Sequence, residues 1–238
     1  MTALPARFVV DGVVFDMDGV LIDSRPVIEH AWQEVARRHE VPVDPREFEH
    51  YVHGRTGAET VRALFPRHTH TQRMALWKEV DRIEEEAAYA AIPGVGAFVR
   101  ALQEAGVPLA LATSSWPRKI DNALGGLGLL DAFPLRITRD DVTRGKPHPE
   151  PYLAAAEVLG IEAGRMLVFE DSTSGVQSAT AAGAITVGIG AASLTEAGAT
   201  VVTADFTPLK AVHGPGSVRL EGTPAQISIT LRGERTDG

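Results

Sequence analysis

The chain has 238 residues, of which 44% are hydrophobic and 23% are charged, an ordinary composition for a globular protein. It contains no cysteine, which excludes a disulfide framework and a thiolate metal site. The formal net charge of -8 argues against a nonspecific nucleic-acid binder. The sequence shows neither a secretory signal nor an apolar run of roughly 20 residues. We therefore expect a cytoplasmic protein without a membrane partner, either a monomer or a small homo-oligomer.

The first apolar run, residues 8–15, ends directly before the motif Asp16-x-Asp18-Gly19. Its β-branched and aromatic residues predict a mostly buried strand of a parallel sheet. Such sheets bind ligands beyond the carboxyl ends of their strands, so Asp16 and Asp18 are placed where a substrate could bind. On its own the motif also fits a solvated turn. A calcium loop is disfavoured because Val27 stands where the closing acid of that loop would be.

A helical pattern without any strand-like run extends from the first strand to residue 91. The first predicted helix spans residues 26–39, and Ser24 is its predicted N-cap. Further helices are predicted over residues 47–52, 58–64 and 72–90. An all-helical insert in this place indicates a small α-helical cap domain over residues 24–91. Pro93 and Gly94 mark the return to the core.

Strands and helices alternate after the insert, which predicts an α/β core with a doubly wound parallel sheet. This core consists of residues 1–23 and 92–214. The predicted strands are 107–112, 135–138, 166–169, 184–189 and 200–202, and the predicted helices begin at 117, 149 and 174. Residues 215–238 form a C-terminal extension. A period-two pattern over residues 226–231, preceded by residues 218–220, predicts a β-hairpin in this extension.

Two polar sites after predicted strands have the chemistry of phosphate binding. Thr113 and Ser114 follow the strand 107–112, and hydroxyl and backbone N–H groups at a strand-to-helix turn suit phosphate oxygens. Taken alone, this pair also fits a helix cap. Lys146 precedes Pro147, which restricts its backbone to an extended conformation. A compact positive charge held near the first strand would neutralise a phosphoryl group.

A second acidic pair, Glu170 and Asp171, ends the strand 166–169. Buried strands rarely finish in two acids unless a cation or a donor satisfies them. Together with Asp16 and Asp18, this pair provides the oxygen-rich site that suits Mg²⁺.

The order of these motifs resembles the four motifs of the haloacid dehalogenase superfamily. The resemblance spans residues 8–190, and the helical insert resembles the branch of the superfamily with a small α-helical cap. More narrowly, the chain is similar to the sugar and polyol phosphatases of this branch, such as those for 2-deoxyglucose 6-phosphate and glycerol phosphate, and to β-phosphoglucomutase-like proteins. The segments that carry the narrower resemblance are 29–32, 53–56, 145–152 and 184–189.

The resemblance implies a Mg²⁺-dependent phosphatase of small sugar or polyol phosphates. It implies that Asp16 is the nucleophile that forms an aspartyl-phosphate and that Asp18 is the general acid and base. The implied phosphate-binding residues are Thr113, Ser114 and Lys146. The implied metal-binding residues are Asp16, Asp18 through its backbone carbonyl, Glu170 and Asp171. The implied substrate contacts from the cap are Glu29, His53 and Arg55.

Three other functions are open to a chain with these motifs. A β-phosphoglucomutase shares nearly all of them, but Ile28 stands where mutases of this branch carry a cap histidine. A non-catalytic receiver-like module phosphorylated on Asp16 is disfavoured by the predicted cap, because receivers leave their acidic pocket open. A dehalogenase is disfavoured because halide departure needs no acid such as Asp18. Phosphatase activity therefore ranks first and mutase activity second.

Overall fold

The secondary structure alternates between strands and helices along most of the chain. The computed structural model describes residues 6–44, 48, 51–52 and 57–231. Its strands are β1 (Arg7–Val10), β2 (Gly12–Phe15), β3 (Ile22–Asp23), β4 (Ala90–Ala91), β5 (Leu109–Ala112), β6 (Arg136–Ile137), β7 (Met166–Glu170), β8 (Ile185–Ile189), β9 (Val201–Thr203), β10 (Lys210–Gly214), β11 (Ser217–Glu221) and β12 (Gln226–Thr230). Its α-helices are α1 (Arg25–Arg38), α2 (Gly57–Leu64), α3 (His70–Glu86), α4 (Val95–Glu104), α5 (Pro117–Gly126), α6 (Glu150–Leu159) and α7 (Thr173–Ala181).

The central sheet is parallel throughout and has the strand order β6-β5-β2-β7-β8-β9. Within it, Phe15 at the end of β2 pairs with Leu111 on one side and with Phe169 on the other. The carboxyl ends of β5, β2 and β7 therefore lie side by side. Buried apolar residues of α4 and α5 belong to one cluster, and those of α6 belong to another together with Ala179 of α7. The α/β fold class with a doubly wound parallel sheet is confirmed.

Stacked aromatic rings support the strand ends that carry the acidic motifs. Phe15 and Phe169 are fully buried, and their ring centroids lie 4.9 Å apart. The rings of Phe98, Phe133 and Phe206 surround this pair. Aromatic pairs contribute about 0.5–1.5 kcal/mol beyond the area they bury. Because Phe15 directly precedes the first acidic motif and Phe169 the second, this packing fixes the backbone from which the acids project.

The prediction of one strand over residues 8–15 is wrong, because the chain breaks at Asp11. The Asp11 amide donates to the carbonyl of Arg165 at 2.7 Å, and its carboxylate accepts from the Arg165 guanidinium, Nη2 to Oδ1 at 2.6 Å. Only β2 enters the central sheet. The preceding strand, β1, pairs in parallel with β12 near the C-terminus instead.

The predicted C-terminal hairpin is present, but it belongs to a larger sheet. Strands β11 and β12 are antiparallel, with Leu220 opposite Ile227. The order of the whole sheet is β1-β12-β11-β10, so it begins at Lys210 and includes the N-terminal strand. Its inward residues Val218, Leu220, Ile227 and Ile229 are buried in the same apolar cluster as Phe15. The extension is thus packed against the central sheet.

The helices between β3 and β4 pack around an apolar cluster of their own. Among its members are Ala31, Trp32, Val35, Val61, Leu64, Phe65, Leu76 and Val80. The segment joins the central sheet through β3 and β4, which pair with Ile22 opposite Ala91. Helix α3 ends at Glu86, short of the predicted residue 90, because Ala87 is extended. In the described part of the chain, no helix has the length and apolar character needed to cross a bilayer.

Candidate active site

Lys146 is bound between two carboxylates at the carboxyl end of the central sheet. Its Nζ atom donates to Asp16 Oδ1 at 2.8 Å, to Glu170 Oε1 at 2.6 Å and to the carbonyl of Ala112 at 3.1 Å. Burial opposes the charge of Lys146, but the two carboxylates outweigh it and keep its pKa well above the ordinary value. Lys146 thus connects residues at the ends of three neighbouring strands, β2, β5 and β7.

Glu170 is the most firmly held acid of the site. It is fully buried, and Oε1 accepts a hydrogen bond from the Tyr152 hydroxyl at 2.9 Å in addition to that from Lys146. Its Oε2 atom accepts from the amide and the hydroxyl of Ser172, both at 3.0 Å. With these donors, neither oxygen of the buried carboxylate is left without a hydrogen-bond partner. Glu170 therefore anchors Lys146 beside Asp16.

Three carboxylates, those of Asp16, Glu170 and Asp171, form the group that could hold a metal ion, with ligand oxygens within 4.8 Å of one another. Burial, together with the charges of Glu170 and Asp18, raises the pKa of Asp16 to about 7 against the opposing effect of Lys146. Burial and the charges of Glu170 and Asp16 raise the pKa of Asp171 to about 8. The single ammonium of Lys146 does not balance three carboxylates. Oxygen ligands alone and an excess of negative charge fit Mg²⁺.

Gly19 allows the chain to turn beside this group. Its φ angle of 73° lies in the left-handed region, and a Cβ atom at this position would lie 1.9 Å from Asp171 Oδ2. Only glycine fits both constraints. The first acidic motif therefore needs its glycine for the close approach of Asp171.

Asp18 has a different set of partners from Asp16. Its Oδ1 accepts from Lys119 Nζ at 2.8 Å, and its Oδ2 accepts from the Ser115 hydroxyl at 2.7 Å. Burial works against ionisation, but Lys119 and the hydrogen bonds from Lys119, Ser115 and Ser24 hold the pKa of Asp18 below its ordinary value. Ser24 makes no side-chain cap bond to α1, so its predicted capping role is wrong; it contributes instead to the lowered pKa of Asp18.

Two of the predicted phosphate-binding residues, Thr113 and Ser114, directly follow β5. Thr113 is buried, and its hydroxyl accepts from the amide of Ser115 at 3.1 Å. Ser114 is exposed. The neighbouring carbonyl of Ala112 binds Lys146, which ties this strand end to the Asp16 site. The hydroxyls and the ammonium therefore share one edge of the sheet.

Three residues of the cap are predicted to contact substrate, and the structure describes one of them. Glu29 lies half-buried on α1. His53 and Arg55 lie outside the described residues.

Lys119 and Glu84 are members of the site that the sequence motifs do not reveal. Lys119 donates to Glu84 Oε2 at 2.8 Å as well as to Asp18, and both residues are almost fully buried. The signal for Lys119 is helical periodicity: with Ile120 and Ala123 it shares the buried face of α5. Glu84 lies in the last turn of a helix whose other acids are only partly buried or exposed, and nothing in the sequence distinguishes it from them.

Helix α3 also makes polar contacts with the loops that follow β5 and β6. The Trp116 indole donates to Glu85 Oε1 at 2.6 Å. Arg139 donates from Nη2 to Asp81 Oδ2 at 3.2 Å, and its guanidinium carbon lies 4.2 Å from the Trp116 ring centroid. These contacts hold α3 against the edge of the sheet where Asp16 and Asp18 lie.

Gly175, in the first turn of α7, offers a test of how firmly Glu170 must be held. A Cβ atom there would lie 1.7 Å from Glu170 Oε1, and Glu170 cannot yield without losing its donors. We expect Gly175→Ala to lower the free energy of unfolding by about 1–3 kcal/mol, as overpacking does, and to reduce activity. The matched control is Gly125→Ala in α5, where nothing lies within 4 Å. It should raise stability, by at most about 1 kcal/mol. Urea unfolding of both variants measures the difference, and equal stabilities would contradict the prediction.

Comparison with known proteins identifies the class to which this fold and site belong. The family model described as haloacid dehalogenase-like hydrolase matches residues 10–183. That range covers both acidic motifs, the end of β5 and Lys146. The chain belongs to the family of haloacid dehalogenase-like hydrolases.

Individual relatives cover most of the chain. Hexitol phosphatase A of Escherichia coli is 34% identical over 184 residues, which are 76% of this chain and 83% of that protein. The 2-deoxyglucose-6-phosphate phosphatase 2 of Saccharomyces cerevisiae is 31% identical over 235 residues, 87% of this chain and 92% of that one. The crystal structure of a haloacid dehalogenase family hydrolase from Deinococcus radiodurans, with bound phosphate and sodium, matches this one with a TM-score of 0.65 and 32% sequence identity. The match covers 83% of this chain and 91% of that one. The enzyme class is phosphoric monoester hydrolase.

Proposed function

We propose that this enzyme hydrolyses small sugar or polyol phosphates in a Mg²⁺-dependent reaction, through an aspartyl-phosphate on Asp16. The observation that carries the proposal is the contact of Asp16 with Lys146, next to the acidic group that Asp16 forms with Glu170 and Asp171. A nucleophile, a cation for the phosphoryl oxygens and a metal-binding group are thus adjacent. The names of the relatives support the substrate class.

Asp16 and Asp171 would hold the metal through their carboxylates and Asp18 through its backbone carbonyl, with Glu170 close by. The donor set consists of oxygens alone, which fits Mg²⁺. When bound, the ion keeps the Asp16 carboxylate ionised and offsets charge on the phosphoryl oxygens. The pKa values of Asp16 and Asp171 are raised to about 7 and about 8 because Lys146 does not offset the negative charge of the three carboxylates. A divalent cation would offset the remaining charge.

Asp16 attacks phosphorus in the first step. An oxygen of its carboxylate forms a bond to phosphorus while the bond from phosphorus to the ester oxygen breaks. The electron pair of the broken bond passes to the ester oxygen of the alcohol. Lys146, Thr113 and Ser114 would bind the phosphoryl oxygens, where negative charge must be stabilised in the transition state.

Asp18 would transfer protons in both steps. The phosphoryl dianion of the substrate adds negative charge beside Asp18, and this favours the protonated carboxyl group that gives its proton to the departing alcohol. In the second step, water attacks the phosphorus of the aspartyl-phosphate and the ionised Asp18 carboxylate accepts a proton from it. The bond between phosphorus and the Asp16 oxygen breaks, which regenerates the Asp16 carboxylate and releases inorganic phosphate. The hydrogen bonds that Asp18 accepts from Lys119 and Ser115 favour its ionised form.

The helical segment is the part of the chain that we propose selects the substrate and excludes water. Its contacts through Trp116 and Arg139 cover the sheet edge that bears the acids. Glu29, His53 and Arg55 remain proposed substrate contacts. A covered site limits hydrolysis by bulk water and strengthens the interactions within it.

A panel of phosphate esters tests this proposal. We expect release of inorganic phosphate from hexitol phosphates or 2-deoxyglucose 6-phosphate well above that from nucleotides and phosphopeptides. Phosphorus NMR with β-glucose 1-phosphate and a bisphosphate primer separates phosphatase from mutase. Ile28, at the mutase histidine position, packs against the apolar cluster of the helical segment. Accumulation of glucose 6-phosphate with little inorganic phosphate would favour the mutase instead.

A further inference from the structure

Lys119 is a buried cation whose only part in the two steps proposed above is its hydrogen bond to the Asp18 carboxylate. It is only 2% exposed and lies on the apolar face of α5. A lysine is seldom buried to this degree unless its charge is paired. Its Nζ atom donates to Asp18 Oδ1 and to Glu84 Oε2, both at 2.8 Å. Two acids therefore hold Lys119 in place, and one of them is the proposed general acid.

The surroundings of the Lys119 ammonium restrict it to this position. It lies 5.7 Å from the ring centroid of Tyr89 and 5.5 Å from that of Trp116. Aromatic rings attract a cation most strongly where water is excluded. Glu84 belongs to α3 and is itself 6% exposed. Lys119 is thus anchored by the helical segment on one side while it reaches Asp18 on the other.

We propose that Lys119 is a positioning residue that fixes the Asp18 carboxylate for proton transfer to the leaving group. Lys119 binds Oδ1 and the Ser115 hydroxyl binds Oδ2, so both oxygens of Asp18 are held. Proton transfer requires the acid to lie within hydrogen-bond reach of the reacting oxygen, and orientation errors are costly. Without Lys119, one oxygen loses its charged partner and the carboxylate can rotate. The inference rests on the role proposed for Asp18.

The step that depends on Lys119 is the departure of the alcohol. As the bond between phosphorus and the ester oxygen breaks, that oxygen takes the electron pair and the proton of the Asp18 carboxyl group. An alkoxide leaves poorly without this proton. A p-nitrophenolate is a stable anion and leaves without it. Loss of Lys119 should therefore slow cleavage of alcohol phosphates far more than cleavage of p-nitrophenyl phosphate.

The test is the ratio of kcat/KM for two substrates, the best sugar or polyol phosphate and p-nitrophenyl phosphate. Measured on one preparation, the ratio does not depend on the fraction of folded enzyme. We expect Lys119→Met to lower this ratio by about tenfold to a hundredfold, at or below the lower end of the roughly 10²–10⁴-fold that general acid catalysis contributes. If the unpaired Glu84 prevents folding, the double variant Lys119→Met/Glu84→Gln removes both charges and carries the same expectation.

Arg118→Met is the matched control for the loss of a cation from α5. Arg118 is exposed, and it pairs with Glu85 of α3 at 3.4 Å. Its replacement removes a contact between the helical segment and α5 but should leave the substrate ratio unchanged. Asp18→Asn gives the full change in the substrate ratio, because it removes the proposed acid itself. Adding Lys119→Met to Asp18→Asn should change the ratio no further, because Lys119 acts through Asp18.

Two results would overturn the inference, and they have different meanings. An equal loss on both substrates in Lys119→Met, with a large ratio change in Asp18→Asn, would show that Lys119 is structural while the role of Asp18 stands. An unchanged ratio in Asp18→Asn itself would show that Asp18 does not protonate the alcohol. That second result would remove part of the proposed function together with the inference.

Discussion

Asp16→Asn should abolish turnover. An amide oxygen does not attack phosphorus, and it is a weaker ligand for a divalent cation than a carboxylate. Removal of the nucleophile from an enzyme with a covalent intermediate costs several decades of rate, so we expect kcat to fall by at least about 10⁴-fold. The asparagine can still accept the hydrogen bond that Lys146 donates to Asp16. The geometry of the site should thus be preserved while its chemistry is lost.

The fold should survive this substitution. Burial and the neighbouring acids raise the pKa of Asp16 to about 7, so its charge is unfavourable in the folded state when no divalent cation is bound. A carboxyl group whose pKa is higher in the folded protein than in the unfolded chain lowers the stability of the fold as the pH rises from the unfolded pKa to the folded pKa. The neutral variant should therefore melt no lower than the wild type at pH 8 in the presence of a chelator.

Asp131→Asn is the control, because it makes the same chemical change at an exposed position. It should retain full activity. An Asp16→Asn enzyme that keeps more than a few per cent of the wild-type rate, after exclusion of deamidation by mass spectrometry, would falsify the assignment of the nucleophile.

The acids of the site could be predicted because they stand at the ends of buried strands, whereas Lys146 lies in the loop between β6 and α6. The carboxyl ends of parallel strands meet at one edge, so Asp16 and Glu170 could be brought together from their sequence positions. For Lys146 the signal was the proline that follows it, which restricts its backbone. In the structure, Lys146 Nζ lies 2.8 Å from Asp16 Oδ1 and 2.6 Å from Glu170 Oε1. The local sequence pattern was sufficient to locate the strand ends because the strands are short, buried and flanked by helices.

The features that the sequence did not reveal depend on contacts between distant residues. Asp11 breaks an apolar run because Arg165, far along the chain, binds both its backbone and its side chain. Lys119 and Glu84 likewise depend on the docking of α3 against α5. An apolar pattern shows that a segment is buried, but not which sheet receives it. Strand β1 lies outside the central sheet because it pairs with β12, a strand from the other end of the chain.

Removal of divalent cations should abolish activity, and Mg²⁺ should restore it. The carboxylates of Asp16, Glu170 and Asp171 face one ammonium, that of Lys146, so two negative charges are left uncompensated when all of these groups are ionised. A ligand that binds only the folded state stabilises it by about 2.7 kcal/mol at a concentration of 100 Kd. We therefore expect Mg²⁺ to raise the melting temperature of the chelator-treated enzyme as well as its rate.

Asp171→Asn tests whether this acidic group is the site of the ion. Asp171 is the member whose carboxylate lies closest to the turn at Gly19 and has its pKa raised, to about 8, by burial and by the other two acids. Its replacement should leave the fold intact, raise the Mg²⁺ concentration needed for half-maximal activity by roughly a hundredfold and remove most of the thermal shift, since even the loss of a group that only orients a metal ligand costs roughly 10–100-fold in metal affinity. Asp121→Asn, at a surface acid that pairs with Arg136, should retain the full shift. If Mg²⁺ stabilises Asp171→Asn as much as the wild type, the ion binds elsewhere and Asp16 must be activated by Lys146 alone.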